Sequence, residues 1–181
     1  MNLPKSVIAA ISFGHHPDAV VRQAANVAIC LETGLRLLHV DSPAHRQPDS
    51  KSRDRLESAR LGACDVGAPC DTEVLSGEPL QVLVETLEED DLLVMGGGPE
   101  ACDIDHLSGI SAAVVWETCR PILVLLHNGN DHLVCAVAGD SCDCQHQAAT
   151  AIASRLGLPV KVIHERPAQA SRKLPCECYY G

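Results

Sequence analysis

The chain has 181 residues, of which 46% are hydrophobic and only 2% aromatic, and it carries a formal charge of -10 at pH 7. That length and apolar content suffice for one full domain and part of another, with a core of Ala, Val, Leu and Ile. An acidic surface, with a sequence pI of about 5.2, argues against nucleic acid and anionic membrane as partners, and no stretch approaches the roughly 18 apolar residues of a membrane span.

In chain order, "SVIAAIS" (6–12) is a continuous apolar run, the pattern of a strand buried on both faces. It is short, preceded by a single Lys, and followed by His15-His16-Pro17-Asp18 rather than a small-residue cleavage site. It therefore reads as a strand and not as a signal peptide, and a cytoplasmic location is expected. "DAVVRQAANVAICLETG" (18–34) sets Val21, Ala24, Ala25, Ala28 and Leu31 on one helical face, with Gly34 as the expected stop. "LRLLHV" (35–40) is a second strand, and a polar linker (41–52) leads to a helix near 53–66. A short strand at 71–77, a helix at 78–90 with Pro79 in its first turn, and the buried strand "DLLVMG" (91–96) follow. The helix "SGISAAVVWETC" (108–119) and the strand "PILVLL" (121–126) complete the series. Alternating strands and helices with near-continuous apolar strands specify an α/β fold with a doubly wound parallel sheet.

The pattern then restarts. "HLVCAVAGD" (132–140) echoes the first strand, and "QAATAIASRLGLPVKVIHERP" (147–167) echoes "QAANVAICLETGLRLLHVDSP" (23–43), at an offset of about 124 residues. The expected organisation is a full domain over 1–127 and, over 128–181, an incomplete β-α-β second copy with a Cys-containing tail. Two strands and a helix cannot bury their faces alone, so the half-repeat must pack on the first copy or on another chain.

The order of these features resembles the universal stress protein family. The opening strand leads through a small-residue turn into a long Ala-rich helix, and the second strand ends in His39-Val40, similar to the family's "LHV". The segment "DLLVMGGG…GISAAVVWETCRPILVLL" (91–126) resembles the family's closing segment, including Cys119-Arg120-Pro121 before the last strand. The resemblance implies a five-stranded parallel sheet of order 3-2-1-4-5, the adenine nucleotide alpha-hydrolase-like arrangement, with the β-α-β half-repeat appended. It also implies a ligand position at the switch point between the first and fourth strands. Family members that bind ATP place an Asp at the end of the first strand and wrap the phosphates with a Gly-x2-Gly-x9-Gly-Ser/Thr loop, where backbone amides meet the anion.

Carried onto this chain, that loop keeps Gly96 and Gly109 as its first and last glycines, with Gly97 and Gly98 beside the first. Pro99 stands at the second glycine, where it offers no N–H and fixes φ. Ile110 replaces the Ser/Thr hydroxyl, Ser111 lies one residue on, and Ser12 takes the first-strand Asp position. Asp103 and Asp105 add negative charge to the loop. Ser12, Gly96, Gly97, Gly98, Gly109, Ile110 and Ser111 thus outline a vestigial or weak nucleotide loop. No strong ATP binding is expected; the rival is an ATP- or AMP-responsive switch using the Gly96–Gly98 amides.

Among ten cysteines, Cys30 falls in a helix and Cys135 in a strand, where Cys packs as a small hydrophobe. Cys142-x-Cys144 with His146, and Cys176-x-Cys178, leave three readings open: a tetrahedral zinc site stapling the half-repeat, a thiol pair open to reversible oxidation, or incidental thiols. His15, His16, Asp105 and His106 would sit over one sheet end, a further His/carboxylate arrangement. Cys102 precedes a helix but is tied to no base by any motif. There is no Ser-His-Asp signature, Walker loop or paired carboxylate, so enzymatic activity is not expected. The expected role is a non-catalytic stress-response or regulatory module that acts as a homodimer or through a protein partner. Family members often pair the last strand across a dimer, and "PILVLL" is apolar enough to do so.

Overall fold

The computed structural model describes residues 4–13, 17–42, 50–97, 109–118, 122–126, 132–136 and 143–163. The elements run β1 (Ser6–Ala10), α1 (Pro17–Leu31), β2 (Gly34–Asp41), α2 (Ser50–Asp65), β3 (Cys70–Ser76), α3 (Pro79–Thr86), β4 (Asp91–Gly96), α4 (Gly109–Thr118), β5 (Ile122–Leu125), β6 (His132–Ala136), α5 (Asp143–Leu156) and β7 (Val160–Ile163). The first five strands are parallel in the order β3-β2-β1-β4-β5, as the sequence led one to expect.

The apolar strands are sandwiched between two helical layers, which is why they read as unbroken hydrophobic runs. Alternate side chains go to opposite faces. Val7, Ala9, Leu37, Leu92 and Val94 pack with α1, α2 and α5. Ile8, Leu38, Leu93, Ile122 and Val124 pack with α3 and α4, including Val114, Val115 and Trp116. Each fully buried Leu or Ile of this kind contributes roughly 1.5–3 kcal/mol of transfer free energy. At the amino ends of the strands, Asp91 accepts from the Ser6 hydroxyl and from the Glu88 backbone amide, and Arg36 pairs with Glu73 at 3.3 Å.

Helix α1 begins on Pro17 with Asp18 in its first turn, where proline lacks nothing it needs and a carboxylate faces the positive helix end. Its stop differs from the expected one. Glu32, not Gly34, takes the left-handed conformation (φ 55°), while the Thr33 amide donates back to the Ala28 carbonyl at 3.0 Å. Gly34 is already the first residue of β2. At the end of α5 a glycine does take that role: Gly157 is left-handed (φ 66°), and Leu158 N–H closes on the Ala153 carbonyl at 3.0 Å.

The β6-α5-β7 segment joins the same sheet. β6 runs antiparallel to β5, pairing Ile122 with Val134 and Val124 with His132, and β7 runs parallel to β6, so the sheet has seven strands. Helix α5 lies on the α1 side and buries Ala149, Ile152 and Ala153 in the core formed with α1 and α2. Arg155 of α5 reaches the end of α1, donating to the Cys30 carbonyl at 3.1 Å and pairing with Glu32 at 3.5 Å. The β-α-β segment thus obtains from the preceding strands and helices the apolar partner it lacks by itself. One expectation is corrected here: the outer edge of β5, expected to pair with a second copy of the chain, is occupied by β6 of the same chain. Among the described residues no helix is long and apolar enough to cross a membrane.

Candidate functional site

In an open parallel sheet the ligand position lies at the carboxyl ends of the strands where the strand order reverses. Here that point is the crevice between β1 and β4, with β1 connecting outward to β2 and β4 to β5. The two strands are in register from Ser6 with Asp91 to Ala10 with Met95, so the residues after Ala10 and after Met95 emerge side by side. The topology therefore brings Ser12, Gly96 and Gly97 to one end of the sheet.

The polar groups there are engaged with the protein itself. The Ser111 hydroxyl donates to the Gly96 carbonyl at 2.8 Å, and Ser111 is only 5% exposed. The Gly97 amide donates to the Leu125 carbonyl at 2.9 Å. Ile110 presents an exposed aliphatic side chain (43%) where a phosphate-binding loop would carry a hydroxyl. Ser12 is exposed and lies just past β1. Gly109 requires its residue type, with φ at +62° as α4 begins. Gly96 does not: an added Cβ would meet only Val20 at 3.9 Å, an ordinary contact, so close passage of the chain does not explain this glycine. Gly98, Pro99, Cys102, Asp103, Asp105 and His106 lie outside the described residues, as do His15 and His16.

Beside the crevice, a network that the sequence did not disclose ties β1, β2 and α2 together. His39 Nδ1 lies 2.8 Å from the Ile11 carbonyl oxygen, which can only accept, so Nδ1–H donates to it. Its Nε2 lies 3.2 Å from Asp41 Oδ1, which also accepts from the Ser52 hydroxyl at 3.4 Å. The Phe13 ring lies 4.6 Å from the His39 ring, and the Arg55 guanidinium stands over Phe13 at 5.1 Å. Ser, His and Asp meet here, but in the wrong order for nucleophile activation. The serine donates to the aspartate rather than to the imidazole, and a carbonyl holds the other ring nitrogen. The nearest sequence signal is the polar Asp41 directly following "LHV"; Ser52 and Arg55 meet it only through the fold.

Of the cysteines, Cys30 and Cys64 are free and exposed, and Cys70 is free and buried. Burial pushes the Cys70 thiol up to about 11, with the neighbouring Cys64 adding to the effect. Arg60 lies 3.7 Å from Cys64 Sγ, but its guanidinium is mainly engaged by Glu57, at 2.6 and 2.9 Å. That hydrogen bond holds the Glu57 carboxyl below its usual range. Cys142, Cys176 and Cys178 lie outside the described residues, and Cys144 is placed only through the backbone of α5. β6 and β7 are parallel, so both Cys-x-Cys segments follow strands that end on the same side of the sheet. Among the described residues no three His, Cys, Asp or Glu side chains are grouped to hold a metal ion.

No protein-family model matches this sequence, and no curated protein does. Solved structures do match. The universal stress protein from Archaeoglobus fulgidus aligns with a TM-score of 0.56 at 18% identity, covering 67% of this chain and 93% of that one. The same organism's protein in complex with dAMP aligns at 0.54 and 19%, covering 68% and 97%. A universal stress protein in complex with cAMP aligns at 0.56 and 22%, covering 69% and 98%. Nearly the whole length of those chains is thus matched by about two thirds of this one. The chain has the α/β fold of universal stress protein structures, with a five-stranded parallel sheet of order 3-2-1-4-5.

Proposed function

We propose that this protein is a non-catalytic regulatory module of the universal stress protein type, cytoplasmic, whose ancestral nucleotide crevice no longer ligates phosphate. The observation that carries this reading is the bond from the buried Ser111 hydroxyl to the Gly96 carbonyl at 2.8 Å. The one hydroxyl near the start of α4 that sequence left as a substitute phosphate ligand is spent on the backbone. Turning it toward a ligand would break a buried hydrogen bond and leave the Gly96 carbonyl unsatisfied, at a cost of about 1–3 kcal/mol. The Gly97 amide is likewise spent on β5, which weakens the backbone-amide alternative. The arrangement of His39, Asp41 and Ser52 supports a structural tie rather than a reaction.

Such a module acts through another protein or a second copy. With β5 covered by β6, the strand edges left without a partner among the described residues are those of β3 and β7, and a homodimer would form there rather than at β5. Zinc at the Cys-x-Cys pairs would be an addition to this role, not its basis. The second reading, an adenine-nucleotide switch, draws support from the similar structures that hold dAMP and cAMP. Equilibrium dialysis of the reduced full chain against Mg-ATP, dAMP and cAMP separates the two. The regulatory reading expects no saturable binding of any of them up to about 1 mM, whereas a Kd below about 100 µM for one of them would hand the protein to the switch reading.

A further inference from the structure

An open cleft of about 540 Å³ lies between α1 and α2, on the helical layer opposite α4, and its Phe13–Arg55 end adjoins the His39 network beside the β1–β4 crevice. Its accessible lining is apolar along much of its length, with Phe13 at one end, Ala59 and Gly62 along α2 and Val66 at the other end, and the buried Val21, Ala25 and Ala63 backing its floor. Small residues keep it open, and Gly62 leaves space in which an added Cβ would meet nothing within 4 Å. From Arg55 to Asp65 the helix rises about 15 Å, enough to flank an extended chain.

Two cations line the same cleft. Arg22 comes from α1 and Arg55 from α2, and neither makes an ion pair among the described residues. Asp18 is the single acid in the lining. In a chain with formal charge -10, two guanidinium groups without carboxylate partners beside an apolar trough form a local reversal of charge. Guanidinium groups suit carboxylates, which they bind bidentately, and the volume falls in the range of small-molecule sites.

We propose that this cleft binds an amphipathic carboxylate: an apolar chain of medium length lies along Phe13, Ala59, Gly62 and Val66, over a floor that Val21, Ala25 and Ala63 back from beneath, and its anionic head pairs with Arg22 and Arg55. Head and tail are both needed. The head alone meets exposed cations of little net worth, and the tail alone leaves the guanidinium groups unmatched.

The test is calorimetric titration of the full chain with decanoate, below its micelle concentration, beside decanol and acetate. Decanoate is expected to bind one to one with a Kd of about 10–100 µM, with decanol and acetate at least about tenfold weaker. Arg22→Gln with Arg55→Gln is expected to weaken decanoate at least about tenfold. Gly62→Leu, whose Cβ would meet nothing within 4 Å and whose branched end would occupy the trough, is expected to abolish binding while leaving the melting temperature unchanged or higher. The proposal is overturned by silence with decanoate at about 1 mM, by decanol binding as well as decanoate, or by decanoate binding that survives both the double Arg variant and Gly62→Leu.

Discussion

Replacing Ile152 with Ala tests whether the β6-α5-β7 segment is part of the fold formed by the five parallel strands or an appendage to it. Ile152 sits on α5, 5% exposed, in the same cluster as Val21, Ala24, Ala25 and Ala28 of α1. Removing its three outer carbons loses their transfer free energy and leaves a cavity between two helices that cannot fully close. Buried Ile→Ala changes cost about 2–5 kcal/mol, and the position of α5 at the margin of the cluster puts this one near 2–3 kcal/mol. With a urea m-value of about 2 kcal/mol/M, the midpoint falls by about 1–1.5 M. The readout is built in. The chain has one tryptophan, Trp116, which lies on α4 across the sheet from α5. If the seven strands unfold together, Trp116 fluorescence and far-ultraviolet circular dichroism shift to the same lower midpoint. A Trp116 transition that keeps its wild-type midpoint while part of the helical signal melts early would refute the coupling.

Four further outcomes are expected. Glu32→Gly removes a side chain from the left-handed position and loses only an exposed ion pair to Arg155; it should stabilise by about 0.5–1 kcal/mol in urea unfolding, and destabilisation would contradict the assigned α1 stop. Gly77→Ala adds a Cβ 2.7 Å from Val82 Cγ2 at a φ of 154°, so a loss of about 1–2 kcal/mol, read as a melting temperature lower by a few degrees, is expected. Iodoacetamide at pH 8 should label Cys30 and Cys64 in the native protein and leave Cys70 for the denatured one, as mapped by mass spectrometry. Because the Cys70 thiol is pushed from 9.0 up to about 11 in the fold, the unfolded chain gives up that proton first. Its contribution to stability is therefore intact below pH 9 and declines as pH rises toward 11, and Cys70→Ala should flatten that part of a stability–pH curve.

What could be read from the sequence is what depends on local pattern. The strands of the parallel sheet were legible because both faces are covered, which leaves runs such as Leu92–Met95 wholly apolar. The echo between Gln23 and Gln147 suggested a half-repeat, and the physics of an unpartnered β-α-β unit required that segment to pack on something. Its direction was legible too, in retrospect. The few residues between Leu125 and His132, which include Asn128-Gly129, are too short for a parallel crossover, and Asn-Gly favours a hairpin. The Gly34 stop misled because a glycine signals freedom without requiring its use, and the backbone turned two residues earlier, at Glu32. The network of His39, Asp41 and Ser52, and the presence of both Arg22 and Arg55 along one cleft, could not be read from spacing. Each joins elements that only the folded sheet brings together.

The most direct measurement of the central claim is a calorimetric titration of the reduced wild-type protein with Mg-ATP, run beside a variant carrying Ser12→Asp, Pro99→Gly and Ile110→Ser. The account predicts no heat of binding for the wild type up to about 1 mM ATP, and a measurable affinity in the variant, where a glycine, a hydroxyl and the strand-end carboxylate are restored. Micromolar binding by the wild type would contradict it, showing that Ser111 and Gly97 give up their bonds to Gly96 and Leu125 and that the crevice still works.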